Sequence, residues 1–418
     1  MLIEMAKRAK EASKLLALSE TAAKNSFLTA LAGALWDGRE ELLQANNEDV
    51  KHARQDGLTE ALIDRLTINE NRLKGIISDL TNVIHAEDPV GKVFEKSVQP
   101  SGLSLYKQRV PLGVIAVIYE SRPNVTVDVA SLAIKSGNAV ILRGGKETLR
   151  TNRVFVSIIH KAMLQVGLPA DAVQFINQPD RALVFELLKL HQYVDMVIPR
   201  GGAQLHQICR ENSTIPVITG GIGICHLFVD ESANLPASIE VIRNAKIQRP
   251  SVCNALDTVL LHENIAQKFL PELIQNLRRD GVIFHIDENL LDRCGLVEAG
   301  DLLRASESDF DIEWLSLNLS VKSVRSLDEA IAHIQAHSTA HSDGILTENA
   351  SHAERFVKTI DSSVVYVNAS TRFTDGAQLG LGSEVAVSTQ RLHARGPMGL
   401  EELTTYKWVA SGNYLTRK

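Results

Sequence analysis

Ala139-Val-Ile-Leu142, a short β-branched run, is followed at once by Arg143-Gly-Gly-Lys146. Working outward from this stretch, similar short apolar runs alternate with helical stretches, at 173–176, 193–198 and 224–229. Parallel strands need a crossover connection, so this alternation predicts βαβ units. We therefore predict an open, mostly parallel α/β domain.

A second set of strand-like runs predicts a second α/β domain. Its members lie at 257–262, 282–286, 319–324, 344–346 and 364–367, with helical runs between them. The strand series restarts near residue 240, where we place the domain boundary. Residues 1 to about 90 are predicted to be helical, with a capping box at Thr67-Ile-Asn-Glu70. The strand-like segments 103–110 and 113–119 are adjacent, which favours a hairpin.

Composition narrows the class of protein. The 418 residues, 44% hydrophobic, are enough for two cores. The net charge of −6 arises from mixed charges with no basic stripe, which argues against nucleic acid. The longest apolar run, 113–119, is far short of the ~20 residues that cross a bilayer, and the N-terminus resembles no secretory signal. Four cysteines without a C-x-x-C pair indicate free thiols and a cytoplasmic location.

Three glycine pairs accompany the predicted strands of the first domain: Gly144-Gly145, Gly201-Gly202 and Gly220-Gly221. Glycine after a parallel strand permits a tight turn and a close ligand approach, and a following helix N-terminus offers N–H groups to phosphate. The standard dinucleotide fingerprint fails, because a strand follows Gly223 where a helix is required. Each pair alone is more often an ordinary turn, but three on one parallel sheet favour a nucleotide site.

Arg143 and Lys146 stand at the carboxyl end of their strand, the edge where open α/β sheets bind ligands. Two cations at that position suit the 2′-phosphate of NADP, whereas a carboxylate would be expected to hold the ribose of NAD. The alternative is that both are solvated surface cations. The pattern favours NADPH/NADP as the cofactor.

Cys253 lies in the polar segment Gln248-Arg-Pro-Ser-Val-Cys-Asn-Ala255, between a predicted helix and a predicted strand. Loops carry chemistry on a rigid scaffold, and positive charge from Arg249 or Lys246 would favour the thiolate. Taken alone, a free cysteine is more often a buried small hydrophobe. The other three cysteines have no comparable setting and are assigned to packing.

His333, His337 and His341 have a spacing that could line one helix face as metal ligands. No acidic or cysteine ligand stands at a suitable spacing, and the segment resembles a helix end running into a turn. We therefore predict no metal site. Glu313, before the predicted strand at 314–320, is by itself an ordinary surface carboxylate.

The chain resembles a known family over nearly its whole length, and the resemblance is clearest at residues 109–124, 248–255 and 393–408. They include Arg122-Pro-Asn124, the Cys253 segment and His393-Ala-Arg-Gly-Pro-Met-Gly399. They closely resemble the γ-glutamyl phosphate reductase branch of the aldehyde dehydrogenase superfamily. The resemblance implies an aldehyde-dehydrogenase-like α/β fold with two open parallel-sheet domains. The histidine run also resembles the family's own pattern at that place, where it is not a metal site.

The resemblance implies a domain plan. Residues 1–240 would form the cofactor-binding domain, with about 370–395 returning to it, and residues 241–369 the catalytic domain with Cys253. Residues about 95–110 and 396–418 resemble the superfamily's oligomerisation element, so a homo-oligomer is expected.

The resemblance also implies residue roles. Cys253 is the expected nucleophile and Asn124 the expected side-chain donor to the oxyanion. The expected cofactor contacts are Arg143, Lys146, Gly201, Gly202, Gly220, Gly221 and Glu313. Candidates for gripping the charged groups of the substrate are Arg122, Lys246 and Arg249.

One departure from the wider superfamily bears on the reaction. Oxidising members usually carry a water-activating glutamate two residues before a glycine pair, where this chain has Ile218. A reductase has no use for that base, because water would divert the thioester to the free acid. The resemblance therefore implies NADPH-dependent reduction of L-glutamyl 5-phosphate to L-glutamate 5-semialdehyde. The alternatives are a non-phosphorylating aldehyde dehydrogenase and an inactive scaffold that binds glutamate 5-kinase.

Overall fold

A computed structural model describes residues 1–220 and 222–417 of the chain. The chain divides into two compact units. The first comprises Met1–Thr219, Gly380–Ala386 and Pro397–Lys418; the second comprises Gly220–Leu379 and Val387–Gly396. Within the described ranges, no helix is both long enough and apolar enough to span a bilayer.

The first unit begins with helices, as the spacing of apolar residues predicts. They are α1 (Leu2–Leu16), α2 (Thr21–Asp37), α3 (Arg39–Gln55), α4 (Glu60–Leu66) and α5 (Glu70–His85). The predicted cap of α5 is wrong by two residues. Asn69 caps the helix, with its side-chain oxygen accepting from the Arg72 N–H at 2.9 Å. Asparagine is among the best N-cap residues.

The predicted parallel sheet of the first unit has four strands in the order β5-β4-β3-β6. The segments from β1 to α9 are β1 (Val93–Val98), β2 (Ser104–Pro111), β3 (Val114–Tyr119), α6 (Val125–Lys135), β4 (Ala139–Arg143), α7 (Leu149–Gln165), β5 (Val173–Phe175), α8 (Ala182–Leu187), β6 (Met196–Arg200) and α9 (Ala203–Asn212). Strand β3 is buried along its whole length. It lies between β4 and β6, which explains its continuous apolar run.

The predicted hairpin between the segments 103–110 and 113–119 is wrong. Strand β2 pairs antiparallel with β1 and with the C-terminal strand β16 (Thr404–Ser411), whereas β3 joins the parallel sheet. Gly113, between β2 and β3, has a φ of 124°, a backbone conformation that residues other than glycine rarely adopt. The chain thus changes sheets at a glycine, and the segments predicted to form an oligomerisation element form a separate three-stranded sheet.

The second unit contains a seven-stranded sheet in the order β10-β9-β11-β8-β7-β12-β13, with every pairing parallel. Its segments are β7 (Cys225–Val229), α10 (Leu235–Ile247), β8 (Leu256–His262), α11 (Glu263–Arg278), β9 (Ile283–Ile286), α12 (Glu288–Arg293), β10 (Leu302–Arg304), β11 (Asn318–Val324), α13 (Leu327–His337), β12 (Ser342–Leu346), α14 (Ala350–Thr359) and β13 (Val364–Val367). Two short strands, β14 (Ala386–Ser388) and β15 (Gly396–Met398), lie where the chain passes between the units.

The unit boundary lies between Thr219 and Gly220, about twenty residues before the boundary predicted near 240. Strand β7 is the reason, because it pairs with β8 and β12 and so belongs to the second sheet. The return to the first unit is also shorter than the predicted 370–395, since it covers Gly380–Ala386 in that region. Runs of apolar residues reveal strands but not the sheet that each strand joins.

Candidate active site

Cys253 lies in the loop of residues 248–255, called here the cysteine loop, which connects α10 to β8. Its thiol is partly exposed, and the loop reaches β8 at that strand's amino end. The Ala255 N–H donates to the Val252 carbonyl at 3.0 Å, which closes a turn around Cys253. The structure therefore places this cysteine in a loop between a helix and a strand, as the sequence predicts.

Asn254 anchors the cysteine loop to a segment far along the chain. Its buried side chain donates to the Thr374 carbonyl at 2.8 Å, and its carbonyl accepts from Thr371 Oγ1 at 2.7 Å. Buried, satisfied hydrogen bonds of this kind resist movement, because breaking one leaves a polar group without water or partner. The residue next to the candidate nucleophile is thus fixed from two directions.

Gly223 lies against the backbone of Cys253. A Cβ at residue 223 would overlap the Cys253 carbonyl oxygen, so this position admits only glycine. The Gly223 N–H donates to Glu313 Oε1 at 2.8 Å. Glu313, expected to be a cofactor contact, therefore also holds the backbone on which the cysteine loop rests.

The other three cysteines are held as neutral thiols. Burial raises the pKa of Cys225 well above its usual value and the pKa of Cys209 to about 12. Burial also raises the pKa of Cys294. A thiolate is the reactive form of cysteine, so these shifts agree with the packing role assigned to the three. Cys225 Sγ itself donates to the Cys253 carbonyl at 3.3 Å, beneath the loop.

The two cations predicted beside Cys253 have different surroundings. Arg249 is exposed on the cysteine loop. Lys246 is fully buried, and its ammonium donates to the Leu256 carbonyl at 2.7 Å and lies 3.9 Å from Asp257. Burial lowers the pKa of Lys246 to about 8 and raises that of Asp257 to about 6. Lys246 thus supports the start of β8 and is enclosed, in contrast to the exposed Arg249.

Arg372 is a cation at this site that the sequence prediction missed. It follows β13 in a short 3₁₀ turn, Thr371–Phe373, and its Nε donates to Gln248 Oε1 at 2.9 Å. A second donor, Nη1, is hydrogen-bonded to Asn254 Oδ1. The polar run Asn368-Ala-Ser-Thr-Arg372 after a predicted strand is the signal that could have drawn attention to it.

In the first unit, Asn124 stands at the start of α6 and is partly exposed, as is Arg122 two residues before it. Asn124 Nδ2 donates to Asp128 Oδ2 at 2.8 Å. One N–H of the amide is thus held by a carboxylate, which fixes the amide plane and leaves its second N–H to donate elsewhere. Burial raises the pKa of Asp128 to about 7 despite this hydrogen bond.

Arg143 is the last residue of β4, and Lys146 lies in the turn that follows it. Arg143 is buried, and its guanidinium donates to the Gly144 carbonyl at 3.0 Å and the Pro179 carbonyl at 3.2 Å. Its Nε is buried and has no hydrogen-bond partner among the residues described. Lys146 is exposed and pairs with Asp56 at 2.9 Å, a surface contact of little strength. A buried unpaired donor beside an exposed cation suits an anionic ligand such as the phosphate of a dinucleotide.

Contacts within the protein require glycine at Gly201 and Gly220, in addition to the candidate role of the glycine pairs in ligand binding. A Cβ on Gly201 would overlap the Glu120 carboxylate, and the Gly202 N–H donates to that carboxylate at 3.2 Å. Gly202 precedes α9, whose N-terminus therefore already attracts a negative group. A Cβ on Gly220 would overlap the Val387 carbonyl. Gly221 lies outside the described residues.

The histidine run is divided between packing and surface contacts. His333 is buried against His337, with ring centroids 4.4 Å apart, and burial lowers the pKa of His333 to about 2. His341 Nδ1 is hydrogen-bonded to Ser342 Oγ at 2.8 Å. Across residues 1–220 and 222–417, no group of three or more His, Cys, Asp or Glu side chains is arranged to hold a metal ion.

Ile218 lies at the position where the resemblance implies a water-activating glutamate in oxidising members of the family. Its side chain is 2% exposed, and its N–H donates to the Val197 carbonyl at 2.9 Å. An alkyl side chain has no proton to exchange with water. The residue at this position therefore cannot act as a general base.

Comparisons with known proteins identify the family. The model of the aldehyde dehydrogenase family matches residues 2–288. The γ-glutamyl phosphate reductase of Serratia proteamaculans is 57% identical over 417 residues, which cover 100% of both chains. That of Cronobacter sakazakii is 56% identical over 415 residues, which cover 99% of each chain.

Solved structures agree with the sequence matches. The crystal structure of γ-glutamyl phosphate reductase from Thermotoga maritima is 47% identical, covers 100% of both chains and has a TM-score of 0.96. An acetylating aldehyde dehydrogenase from Geobacillus thermoglucosidasius, 20% identical with a TM-score of 0.73, covers 100% of this chain and 97% of its own. The second likeness shows the shared fold alone.

Proposed function

This chain belongs to the aldehyde dehydrogenase family, within its γ-glutamyl phosphate reductase branch, and we propose on that premise that it reduces L-glutamyl 5-phosphate with NADPH. The products are L-glutamate 5-semialdehyde and phosphate, in the cytoplasmic pathway to proline. Glutamate 5-kinase, which makes acyl phosphates of this kind, is the proposed source of the substrate. The chain is an oxidoreductase, and its family uses a nicotinamide cofactor.

The observation that carries the proposal is the setting of Cys253. It is a partly exposed cysteine on a loop fixed by Asn254 and Gly223. A nucleophile needs both access and a fixed position, because misplacement of a reacting atom by even 1 Å can cost about a hundredfold in rate.

In the proposed reaction, the Cys253 sulfur attacks the γ-acyl carbon of the substrate. A carbon–sulfur bond forms, the bond from carbon to the phosphate oxygen breaks, and phosphate leaves with the electron pair. The bound nicotinamide supplies the hydride that reduces the resulting thioester. The thiohemiacetal then collapses to the aldehyde and releases the thiolate. The apolar Ile218 provides no base to activate competing water.

Asn124 is proposed to donate its side-chain N–H to the oxyanion that develops on the acyl oxygen. Support comes from the family and from the Asp128 hydrogen bond, which orients the amide with nitrogen as a donor. Removing one such donor typically lowers kcat by about a hundred- to a thousandfold. We expect Asn124→Ala to show that loss in an NADPH-oxidation assay, and near-wild-type turnover would remove Asn124 from the mechanism.

The cofactor contacts proposed are Arg143, Lys146, Gly201, Gly202, Gly220, Gly221 and Glu313. The fit rests on the unpaired Arg143 Nε, the exposed Lys146 ammonium and the anion-attracting N-terminus of α9. Two cations at the end of β4 support NADPH over NADH, because the additional phosphate needs a positive partner. Comparing kcat/KM for the two cofactors tests this preference.

A homo-oligomer is also proposed, through the sheet of β1, β2 and β16. Trp408 and Tyr406 on β16 are 57% and 46% exposed, and large exposed aromatic side chains often mark interfaces. Light scattering coupled to size exclusion would report the mass. A monomer at micromolar concentration would contradict this part of the proposal.

The reaction itself is tested in the direction of aldehyde oxidation. The purified enzyme is mixed with glutamate 5-semialdehyde and NADP⁺, with and without phosphate or arsenate, and NADPH formation is followed by absorbance. We expect NADPH only when phosphate or arsenate is present, because an oxyanion must release the acyl group from sulfur. Oxidation without either anion would indicate a non-phosphorylating aldehyde dehydrogenase, and inactivity in both directions would indicate a scaffold.

A further inference from the structure

Arg372 links both ends of the cysteine loop. Its Nε donates to Gln248 at the start of the loop, at 2.9 Å, and its Nη1 is hydrogen-bonded to Asn254, the neighbour of Cys253. The guanidinium therefore lies across the segment that contains the nucleophile. Both partners are neutral amides, so these bonds fix the position of the charge without neutralising it.

The backbone around Arg372 is fixed independently of its own side chain. Thr371 Oγ1 donates to the Asn254 carbonyl at 2.7 Å, and Asn254 Nδ2 donates to the Thr374 carbonyl at 2.8 Å. Ser370 Oγ accepts from the Arg372 N–H at 3.3 Å. Residues on both sides of Arg372 are thus tied to the cysteine loop, and the guanidinium is a built feature of this site.

Arg249 adds a second positive charge to the cysteine loop, since it directly follows Gln248, the residue that accepts from Arg372 Nε. Burial lowers the pKa of Arg372, and the neighbouring positive charge of Arg249 lowers it further. Asp375 opposes this effect, but its carboxylate also caps the Ala377 N–H at 3.0 Å. Arginine stays charged in proteins, so the cysteine loop has one guanidinium hydrogen-bonded to it and a second exposed on it. An anion that binds at this loop therefore meets two positive charges.

We propose that Arg372 and Arg249 together bind the phosphate group of the acyl phosphate, and so receive it as the leaving group when Cys253 attacks. This inference rests on the proposed function. The guanidinium fork matches phosphate with two parallel N–H bonds, and two such cations suit a dianion better than a single carboxylate. The phosphate is attached directly to the carbon that sulfur attacks, whereas the α-carboxylate is at the far end of the substrate.

Arg372 and Arg249 act in both the reductive and the oxidative direction of the reaction. In reduction, the carbon–oxygen bond to phosphate breaks and the oxygen takes the electron pair, so the guanidinium groups stabilise charge that increases in the transition state. In oxidation, the same pair holds free phosphate while one of its oxygens attacks the thioester. The buried Lys246, whose ammonium bonds to the Leu256 carbonyl, takes no part.

The test measures the oxidative direction with phosphate and semialdehyde varied separately. The variants are Arg249→Ala, Arg249→Lys and Arg372→Lys. Arg249→Ala leaves the hydrogen bonds from Arg372 to Gln248 and Asn254 in place, so the test stands even if a change at Arg372 disturbs the loop. The matched control is Arg243→Ala on α10, which removes another arginine of the second unit, one paired with Asp280 at 2.7 Å. Circular dichroism confirms that each variant is folded.

We expect the KM for phosphate to rise about tenfold in Arg249→Ala and by at least as much in Arg372→Lys, because each loses a charge-assisted bond to the anion. Arg249→Lys keeps the charge without the fork, and its KM should be intermediate. The KM values for semialdehyde and NADP⁺ should change less than about twofold. Arg243→Ala should behave as wild type.

Three results would overturn the inference. A raised KM for semialdehyde with an unchanged KM for phosphate would assign the pair to the α-carboxylate. Unchanged values for both substrates would remove the pair from substrate binding. Wild-type enzyme without phosphate-dependent activity would refute the proposed function and this inference with it. In the first two results the wild-type activity stands, so the two failures are distinguishable.

Discussion

The turn at residues 143–148, called here the Arg143 turn, and the cysteine loop are both candidate sites from sequence, yet different contacts hold them. In the first, Arg143 Nη1 bonds to the Gly144 carbonyl and Thr148 Oγ1 to the Gly145 carbonyl, both at 3.0 Å. In the second, Asn254 bonds to residues 117 to 120 positions along the chain. The Arg143 turn thus has bonds between near neighbours beside its contacts to Pro179 and Asp56, whereas the bonds of Asn254 join the cysteine loop to a segment more than a hundred residues away.

The largest effect expected is at the nucleophile of the cysteine loop. Cys253→Ser should lower kcat for NADPH oxidation by more than about a thousandfold, because a serine hydroxyl in this setting is a far weaker nucleophile. The fold should be unchanged, since the side chain is partly exposed. Cys294→Ser, which changes another partly exposed cysteine of the same unit, should keep its activity. Retained turnover in Cys253→Ser would refute the mechanism.

The next largest effect is expected from removing the long-range bonds of the cysteine loop, in comparison with the short-range bonds of the Arg143 turn. Asn254→Ala removes the bonds to Thr374 and Arg372, and leaving buried partners unsatisfied costs about 1–3 kcal/mol each. We expect kcat to fall about ten- to a hundredfold because the neighbouring thiol loses its position. Thr148→Ala removes the bonds of its hydroxyl to Gly145 and Asn152, three and four residues away, and should leave kcat unchanged.

Both variants are assayed for kcat and for the midpoint of thermal unfolding. Asn264→Ala is the control for Asn254, because it removes an exposed bond to Glu231 in the same unit. A normal kcat in Asn254→Ala would mean that the long-range bonds do not position Cys253. The variants in the two regions would then differ in their thermal stability and not in kcat.

A smaller effect is expected in the Arg143 turn. Lys146→Ala should raise the KM for NADPH several-fold, about 1 kcal/mol of binding, without changing kcat. The KM for NADH should be unaffected, because that cofactor lacks the additional phosphate. Lys161→Ala on α7 of the same unit serves as a surface control. Equal changes for both cofactors would show that Lys146 does not distinguish them.

The smallest effect concerns the pH dependence of stability at Asp128. Its pKa in the folded protein, about 7, is above the ordinary value of 3.8, so folding favours the neutral acid. This stabilisation is complete below the ordinary pKa and is lost as the pH rises through about 7. Urea unfolding of Asp128→Asn and wild type should therefore show the variant gaining relative stability from pH 4 to pH 8. A difference independent of pH would refute the assignment.

Much of the fold could be predicted from the sequence, because most strands of the two parallel sheets are short apolar runs bounded by polar or glycine residues. The run at 113–119 predicted β3, but its pairing with β2 was wrong, since a period of two residues says nothing about partners. For the same reason β7 was assigned to the wrong sheet. Pairing depends on which apolar faces meet, and that is settled only when the unit is compact.

The candidate site divides in the same way. The family, the strand–helix alternation and the place of Cys253 in a polar loop could all be inferred from the sequence, because residue type and local spacing are properties of neighbours in the chain. Only the tertiary structure decided that Lys246 is enclosed, that Gly223 must lack a side chain and that Arg372 lies across the cysteine loop. Burial and long-range contact depend on residues more than a hundred positions away, as with Asn254 and Thr374, and no local pattern records them.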